Sequence, residues 1–446
     1  MFTIRLNSVR CFAETPPIPI RRLTFLIGEN STGKSSFLAL LRIARNLVHG
    51  DLSPNFNVEP FFLGAYDQIA HYRGGRGGRA RSFAIEVATE FHDRGSRNAS
   101  RATRRPIQAT FSSEFVKRAS QPSLSSLSFT AAEYEVHIHL RDKQGVEIHI
   151  KTPSGKYEYN PGHEVFKEVF PFFPYNRRFL RYILYAFVES RTNVPGRENK
   201  SKLNKGELNI LMNLLERAAG PIDLKPHPIA PVRTKPERTY NPVEGLQNSE
   251  GAHVPMVLAK TFFTDKEKWK NLQTSLDKFG KASGLFSDIS LKTLGKSGSD
   301  PFQIYVKITG PAENLIDVGY GVSQVLPVLV DLLGSDENTL FLLQQPEVHL
   351  HPRAQAELGS FFANFVKQSR HFLVVETHSD YLLDRIRISV KNGILTPEDV
   401  SILFFDRPGR DVTIYPLSLD RLGNIKKPPE TYRDFFLREE EKILGF

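Results

Sequence analysis

Residues 22–48, "RLTFLIGENSTGKSSFLALLRIARNLV", constrain the fold more than any other stretch of this chain. An apolar strand runs into a loop that fits G-x-x-x-x-G-K-[ST] and leaves it as an amphipathic helix. A strand that apolar has to be buried in a sheet, with the following helix packed back on it. The loop is built for anions. Gly28 and Gly33 let the backbone N–H groups of Asn30, Ser31 and Thr32 curl round phosphates, and the helix N-terminus at Ser35 and Ser36 adds its positive end. Lys34 is placed to reach the outer phosphates and the Ser35 hydroxyl to meet a magnesium ion, so ATP and Mg2+ are the expected cofactors.

The remaining composition suits a nucleotide-binding protein. At 446 residues and 40% hydrophobic, the chain can bury a large core, as two or three domains or as one head with insertions. Its 59 Lys+Arg against 49 Asp+Glu, a net charge of +10, favour a polyanionic partner, although a generally basic surface gives the same balance. Cys11 is the only cysteine, which excludes an intrachain disulfide and a cysteine-based metal site and fits the cytoplasm. The N-terminus lacks an apolar signal core. The most apolar run, "VSQVLPVLVDLL", is too short to span a bilayer and is interrupted by Asp331, so no membrane association is expected.

Periodicity divides the chain. Residues 82–92, 108–115, 133–140 and 145–151 alternate apolar and polar positions, with a tight turn at "DKQGV", and predict an antiparallel sheet. From about 155 to 250, aromatic "EVFPFFPYNRRFLRYILYAF" gives way to proline-containing "HPIAPVRTKPERTYNPVEG", which reads as an inserted arm ending in a long surface loop. A helix over 255–282 and a strand "FQIYVKIT" follow. Helices at 321–333, 353–367 and 379–391 then alternate with strands at 339–343, 371–375 and 401–405.

Three segments of that last region, in order, are "DVGYGVSQVLPVLVDLL", "FLLQQPEVHLHP" and "FLVVETHSDYLLDRI". With the phosphate loop and a near-terminal "PPETYRDFF", they resemble the ATP-binding-cassette (ABC)-like AAA ATPases of the overcoming-lysogenization-defect type. The nearest resemblance is to the ATPase subunit of the Septu antiphage system, then to that of the PARIS system. It covers residues 1 to about 90 and 300–446. It implies an α/β fold, an ABC-type P-loop ATPase head with a mixed sheet flanked by helices, an antiparallel subdomain and an inserted helical arm or lid. The expected domains are an N-terminal ATPase lobe over 1–154, an arm over 155–300 and a C-terminal lobe over 301–446.

The resemblance also implies roles. Two protomers would dock head to tail and sandwich ATP between one phosphate loop and the partner's signature segment, here Gly319, Gly321, Ser323 and Gln324. Glycines at an exposed helix start also serve tight packing, and the usual signature serine is replaced by Gly319. His378 would be the switch histidine, and Gln68 in "AYDQIAHYRG" the Q-loop residue sensing magnesium or water. "FLLQQPEVHLHP" takes the Walker B place, with Gln344 where the magnesium-associated acid belongs and Gln345 where the catalytic glutamate belongs. An amide can hydrogen-bond a water but cannot take its proton, so hydrolysis should be slow or absent while binding survives. Glu347 and Glu376 are reserve carboxylates, or else structural acids.

His349 and His351 alternate with Glu347, and His137, His139 and His149 share a predicted hairpin; interfacial and solvated positions are favoured over metal ligation. Arginines in "RGGRGGRAR" and "RGSRNASRATRR" suit non-specific DNA or RNA contact, solvated loops or an acidic protein partner. The resulting expectation is an ATP-binding regulatory subunit of a two-component antiphage complex. It would form ATP-sandwich dimers or larger oligomers and control a separate nuclease, of the HNH type in the related systems. The alternative is an active, DNA-stimulated ABC-type ATPase of DNA repair or maintenance.

Overall fold

A computed structural model describes residues 1–92, 106–141, 145–159, 203–242, 248–295, 300–335 and 338–432. The segments 94–105 and 168–187, residues 142–144 of the expected turn and the last four residues of "PPETYRDFF" lie outside them. The chain divides into two compact units. The first comprises Met1–Ile20, Asn30–Leu224 and Asp406–Ile414, the second Arg21–Glu29, Lys225–Phe405 and Tyr415–Phe446.

The first unit is built on a nine-stranded sheet. Its strands are β1 (Phe2–Val9), β2 (Phe12–Glu14) and β3 (Ile18–Ile20), then, beyond β4 of the other unit and the short pair β5 (Asn57–Val58) and β6 (Phe61–Phe62), β7 (Ser82–His92), β8 (Pro106–Arg118), β9 (Gln121–Ala131), β10 (Tyr134–Arg141), β11 (Gly145–Thr152) and β12 (Gly155–Tyr159). The order is β12-β11-β10-β9-β8-β7-β1-β2, with β3 also on β1, and every pairing is antiparallel. Alternation puts Phe83, Ile85, Val87, Phe111, Phe129, Val136, Ile148 and Ile150 on the buried side. Helices α1 (Lys34–Val48), α2 (Tyr66–Ile69) and α3 (Lys205–Ala219) complete this unit, α1 and α3 both packing on β7.

Strand β9 was not predicted, and its register shows why. Glu114 pairs with Ser126 and Phe115 with Leu124, so Ser125 is an extra residue in the ladder. That bulge puts Leu124 and Leu127, three apart, on the same buried side, which breaks the period of two that identifies a strand.

The second unit holds the mainly parallel sheet. Its strands are β4 (Leu23–Gly28), β13 (Lys225–Ile229), β17 (Thr339–Gln344), β18 (Phe372–Glu376), β19 (Val400–Asp406), β20 (Thr413–Leu419) and β21 (Ile425–Lys426), in the order β13-β17-β18-β4-β19-β20-β21. β13 through β19 run parallel. A small antiparallel sheet is made by β14 (Asp288–Thr293), β15 (Phe302–Lys307) and β16 (Glu313–Asn314). Helices α4 (Val254–Thr264), α5 (Lys266–Ser283), α6 (Tyr320–Gly334), α7 (Pro352–Gln368) and α8 (Asp380–Lys391) share one core with the strands, around Phe25, Leu276, Leu329, Phe341, Phe362 and Val375.

Residues 225–300, expected in an arm, are therefore integral to this unit. The cue that misled is proline. Pro226 and Pro228 lie inside β13, which sits at the sheet edge, where a missing N–H leaves no ladder bond broken. The single helix expected over 255–282 is two. Asp265 is extended and its side chain accepts from the Lys268 N–H, so it ends α4 and caps α5.

Asp331, on α6, accepts hydrogen bonds from the Nε2 of His227 at 2.9 Å and of His253 at 2.8 Å. Burial alone would raise this carboxyl, but the two imidazole partners outweigh it and hold it below its ordinary value. The folded value lies below the unfolded one, so this stabilisation is present above about pH 4 and is lost as pH falls through the folded value. Asp331→Ala removes the shared carboxylate acceptor of His227 and the buried His253 and is expected to cost about 3–5 kcal/mol, read as a lower urea midpoint.

Candidate functional site

The phosphate loop starts where β4 ends. Gly28, at φ 133°, would place a Cβ 2.3 Å from the Phe405 carbonyl oxygen on β19, so only glycine fits. Glu29 is the last residue of the second unit, and the loop continues in the first. There Ser31 has φ 61° and its carbonyl accepts from Arg407 Nη1 at 3.1 Å. Gly33, at φ 87°, would put a Cβ 2.5 Å from Cys11 Sγ. Thr32 and Lys34 are buried, with Lys34 Nζ donating to Thr32 Oγ1 at 3.5 Å, whereas Ser35 and Asn30 are exposed. Ser36 Oγ accepts from Arg10 Nε at 3.3 Å. α1 begins with no side-chain cap and no acidic residue in its first turn, the arrangement that leaves a helix start open to an anion.

Cys11 supports the loop from below, its Sγ 3.9 Å from the Thr32 carbonyl oxygen. Burial pushes its thiol up to about 11. Relative to the ordinary value of 9.0, that is two pH units, so at pH 8 the reactive thiolate is about 100-fold scarcer. Maleimide labelling of the native protein, followed by mass spectrometry, should be slower by about that factor than in urea. Equal rates would show an open thiol.

Gln68, expected to sense magnesium or water, caps a helical turn. Its Oε1 accepts the Ala65 N–H at 2.8 Å and closes a cap on the single-turn helix α2.

In the second unit the strands end level with one another. Gln344 is in register with Glu376, and Glu376 with Leu26 on the phosphate-loop strand. Gln344, Glu347, Glu376 and Thr377 are all buried. Gln345 is left-handed, at φ 41°, and its N–H donates to the Glu376 carbonyl at 2.8 Å. This turns the chain out of β17 into "PEVHLH", where Glu347 folds back and its Oε1 accepts the His378 N–H at 2.8 Å. Burial raises the Glu347 carboxyl, opposed by the bonds from His378 and Thr377. His378 itself is exposed at the start of the switch segment.

The signature quartet splits. Gly319 is exposed and caps α6, and Gly321 sits against the "PEVHLH" turn, where a Cβ would lie 3.0 Å from the His349 carbonyl oxygen. Ser323 and Gln324, expected to face a partner's nucleotide, are turned inward. Ser323 Oγ donates to the Tyr320 carbonyl, and Gln324 is 1% exposed with its Oε1 accepting the Arg233 N–H.

Sequence reasoning missed Arg233, placed in a surface loop. It follows β13 at the same edge of the sheet, is 2% exposed, and its Nη2 lies 3.5 Å from the Gln344 carbonyl oxygen. The available cue was a lone arginine just past a strand-length segment, obscured by the prolines around it.

Among the described residues no cluster of three or more His, Cys, Asp or Glu is disposed to hold a metal ion. His351 caps α7 by accepting the Arg353 N–H, and His349 stacks edge-on against Tyr320. His149 lies 3.4 Å from Glu147 and 3.6 Å from Glu158 on the sheet surface. The loop fits nucleotide phosphates, with two glycines whose Cβ would clash and a buried lysine. The fit to magnesium is poorer. That ion is bound through carboxylates plus phosphates, and β17 ends on the Gln344 amide where a carboxylate would serve.

Residues 230–384 match the family model described as "AAA domain, putative AbiEii toxin, Type IV TA system". The phosphate loop after a central parallel strand is that of a P-loop nucleotide-binding α/β fold, and the family match over about a third of the chain is to an AAA domain. No curated protein matches the chain. Among solved structures, an SMC head bound to the C-winged helix domain of ScpA aligns at 11% identity and TM-score 0.42, over 94% of this chain and 98% of that one. The SMC head domain from Thermotoga maritima aligns at 11% and 0.38, over 93% and 97%. The Smc head domain with a coiled coil and joint derived from Pyrococcus yayanosii aligns at 10% and 0.42, over 99% and 100%. No helix of the described residues is long and apolar enough to cross a membrane.

Proposed function

We propose that this chain is the ATP-binding regulatory subunit of a two-component antiphage defence complex, acting in the cytoplasm on a separate nuclease of the HNH type. The observation that carries the reading is the pairing of a complete phosphate loop with glutamines, Gln344 and Gln345, at the end of β17. Lys34 and the loop N–H groups hold ATP, and Gly319 and Gly321 present the exposed start of α6 to a second copy's nucleotide. His378 reports on the terminal phosphate. With no carboxylate at positions 344 and 345, ATP is held longer than it is consumed, and the assembled dimer is stabilised by mass action. The matched family model's description, which names a toxin and a TA system, fits a protein that works in a pair.

A DNA-stimulated ATPase is the second reading, favoured by the exposed arginines 73, 76, 79 and 81 of the first unit. Purified protein separates the two through its retained nucleotide and its phosphate release with and without DNA. Copurifying ATP with negligible turnover is expected; brisk turnover that DNA accelerates would establish the second reading instead.

A further inference from the structure

A cavity of about 270 Å³ opens in the second unit beside the first two turns of α6, walled by the segment that follows β13, by α4 and by β15. Its inner wall is apolar: Ile304 and Leu326 are buried and Met256 is half-buried. Its charged groups are of both signs. Lys235 and Glu237 are exposed and stand two residues apart, yet among the described residues neither is in an ion pair. Ser323 lines the same space. Pro327 has no N–H, so the Ser323 carbonyl lacks the helical donor that position 327 would otherwise give it, and a carbonyl without that bond is a strong acceptor.

These features narrow the ligand. The volume lies under the roughly 300 Å³ at which pockets for drug-sized molecules begin, so it suits a molecule smaller than a nucleoside triphosphate. An entirely apolar molecule would leave Lys235 and Glu237 without a partner, and a simple anion would be opposed by Glu237. A molecule with one carboxylate, one ammonium and an apolar side chain uses all three kinds of wall. We propose that this cavity binds a free α-amino acid with a large apolar side chain, of leucine or phenylalanine size. Lys235 meets its carboxylate, Glu237 and the Ser323 carbonyl meet its ammonium, and Met256, Ile304 and Leu326 receive its side chain.

The occupied cavity joins α6, α4 and the segment after β13, so the amino acid stabilises the second unit by mass action. It also braces α6 three residues into the helix, next to the exposed start at Gly319. Binding here needs no nucleotide and no second copy.

Calorimetric titration of the full chain, in buffer without nucleotide, provides the test. L-Leucine or L-phenylalanine should bind once per chain at concentrations below about 10 mM. L-Phenylalaninamide, which lacks the carboxylate, and N-acetyl-L-phenylalanine, which lacks the ammonium, should each bind about 3- to 10-fold more weakly than phenylalanine, the range for a partly exposed charge pair. Lys235→Ala and Glu237→Ala should each weaken phenylalanine by a similar factor while leaving the thermal midpoint of the empty protein unchanged, because both side chains are exposed and the Glu237 N–H keeps its bond to the Tyr240 hydroxyl. Met256→Trp, which fills the cavity, should abolish binding; if it does not fold, the two charge variants decide. The proposal is overturned if neither amino acid binds, if the blocked derivatives bind as well as phenylalanine, or if both charge variants bind phenylalanine as wild type does. None of these results touches the nucleotide reading, which is read separately from copurified ATP.

Discussion

Lys34→Ala is expected to purify without nucleotide and as a smaller species than wild type. Lys34 is 3% exposed and sits at the start of α1, in a loop whose glycines have no room for a Cβ. Removing the ammonium deletes a charge-assisted phosphate contact in a site with little access to water, a loss of about 100-fold or more in affinity. The consequence for assembly follows from linkage. A nucleotide present at about 100 times its dissociation constant stabilises the bound form by about 2.7 kcal/mol, and that contribution vanishes in the variant. Nucleotide released by heat and quantified by chromatography gives the first readout, and light scattering on a sizing column the second. Thermal unfolding with and without added ATP completes the test: wild type should gain stability and the variant should not. A variant that keeps its oligomer while empty of nucleotide would show that ATP does not join the protomers.

The phosphate loop was legible from residues alone because its chemistry is local: two glycines, a lysine and a hydroxyl at fixed spacing between a strand and a helix. The parallel sheet was legible for the same reason, since β17, β18 and β19 are short apolar runs separated by helices with clear periodicity. What was hidden depends on partners distant in sequence. β13 is a strand only because β17 lies beside it, and its prolines argue for a loop until the sheet edge is known. β9 is hidden by a bulge at Ser125 that depends on β8. The inward-facing Gln324 side chain meets the Arg233 N–H, 91 residues earlier in the chain. Gln68 is the reverse case: its side-chain bond is local and caps its own helical turn.

Restoring a carboxylate at position 345 should awaken hydrolysis more than restoring one at 344. Gln345 leaves the strand in a left-handed turn, partly accessible, and a glutamate there keeps the backbone N–H bond to Glu376 and adds a group able to take a proton from water. General-base catalysis contributes about 10²- to 10⁴-fold, so Gln345→Glu should raise phosphate release by a factor in that range. Gln344→Asp meets a different environment. Gln344 is buried and in register with Glu376 on the adjacent parallel strand, where neighbouring chains lie about 4.8 Å apart. A second carboxylate there would face a like charge in a dry site, and one of the pair would be forced to stay protonated. Gln344→Asp alone should therefore lower stability, most strongly at alkaline pH, and bring little turnover. Gln344→Asp with Glu376→Thr should be better tolerated, because it removes the competing acid. Phosphate release measured across these variants tests the arrangement. If Gln345→Glu remains silent while Gln344→Asp is active, the limiting group is the metal-associated acid, not the base. If Gln345→Glu is the active one, the base is the limiting group and the glutamine at 344 is compatible with turnover.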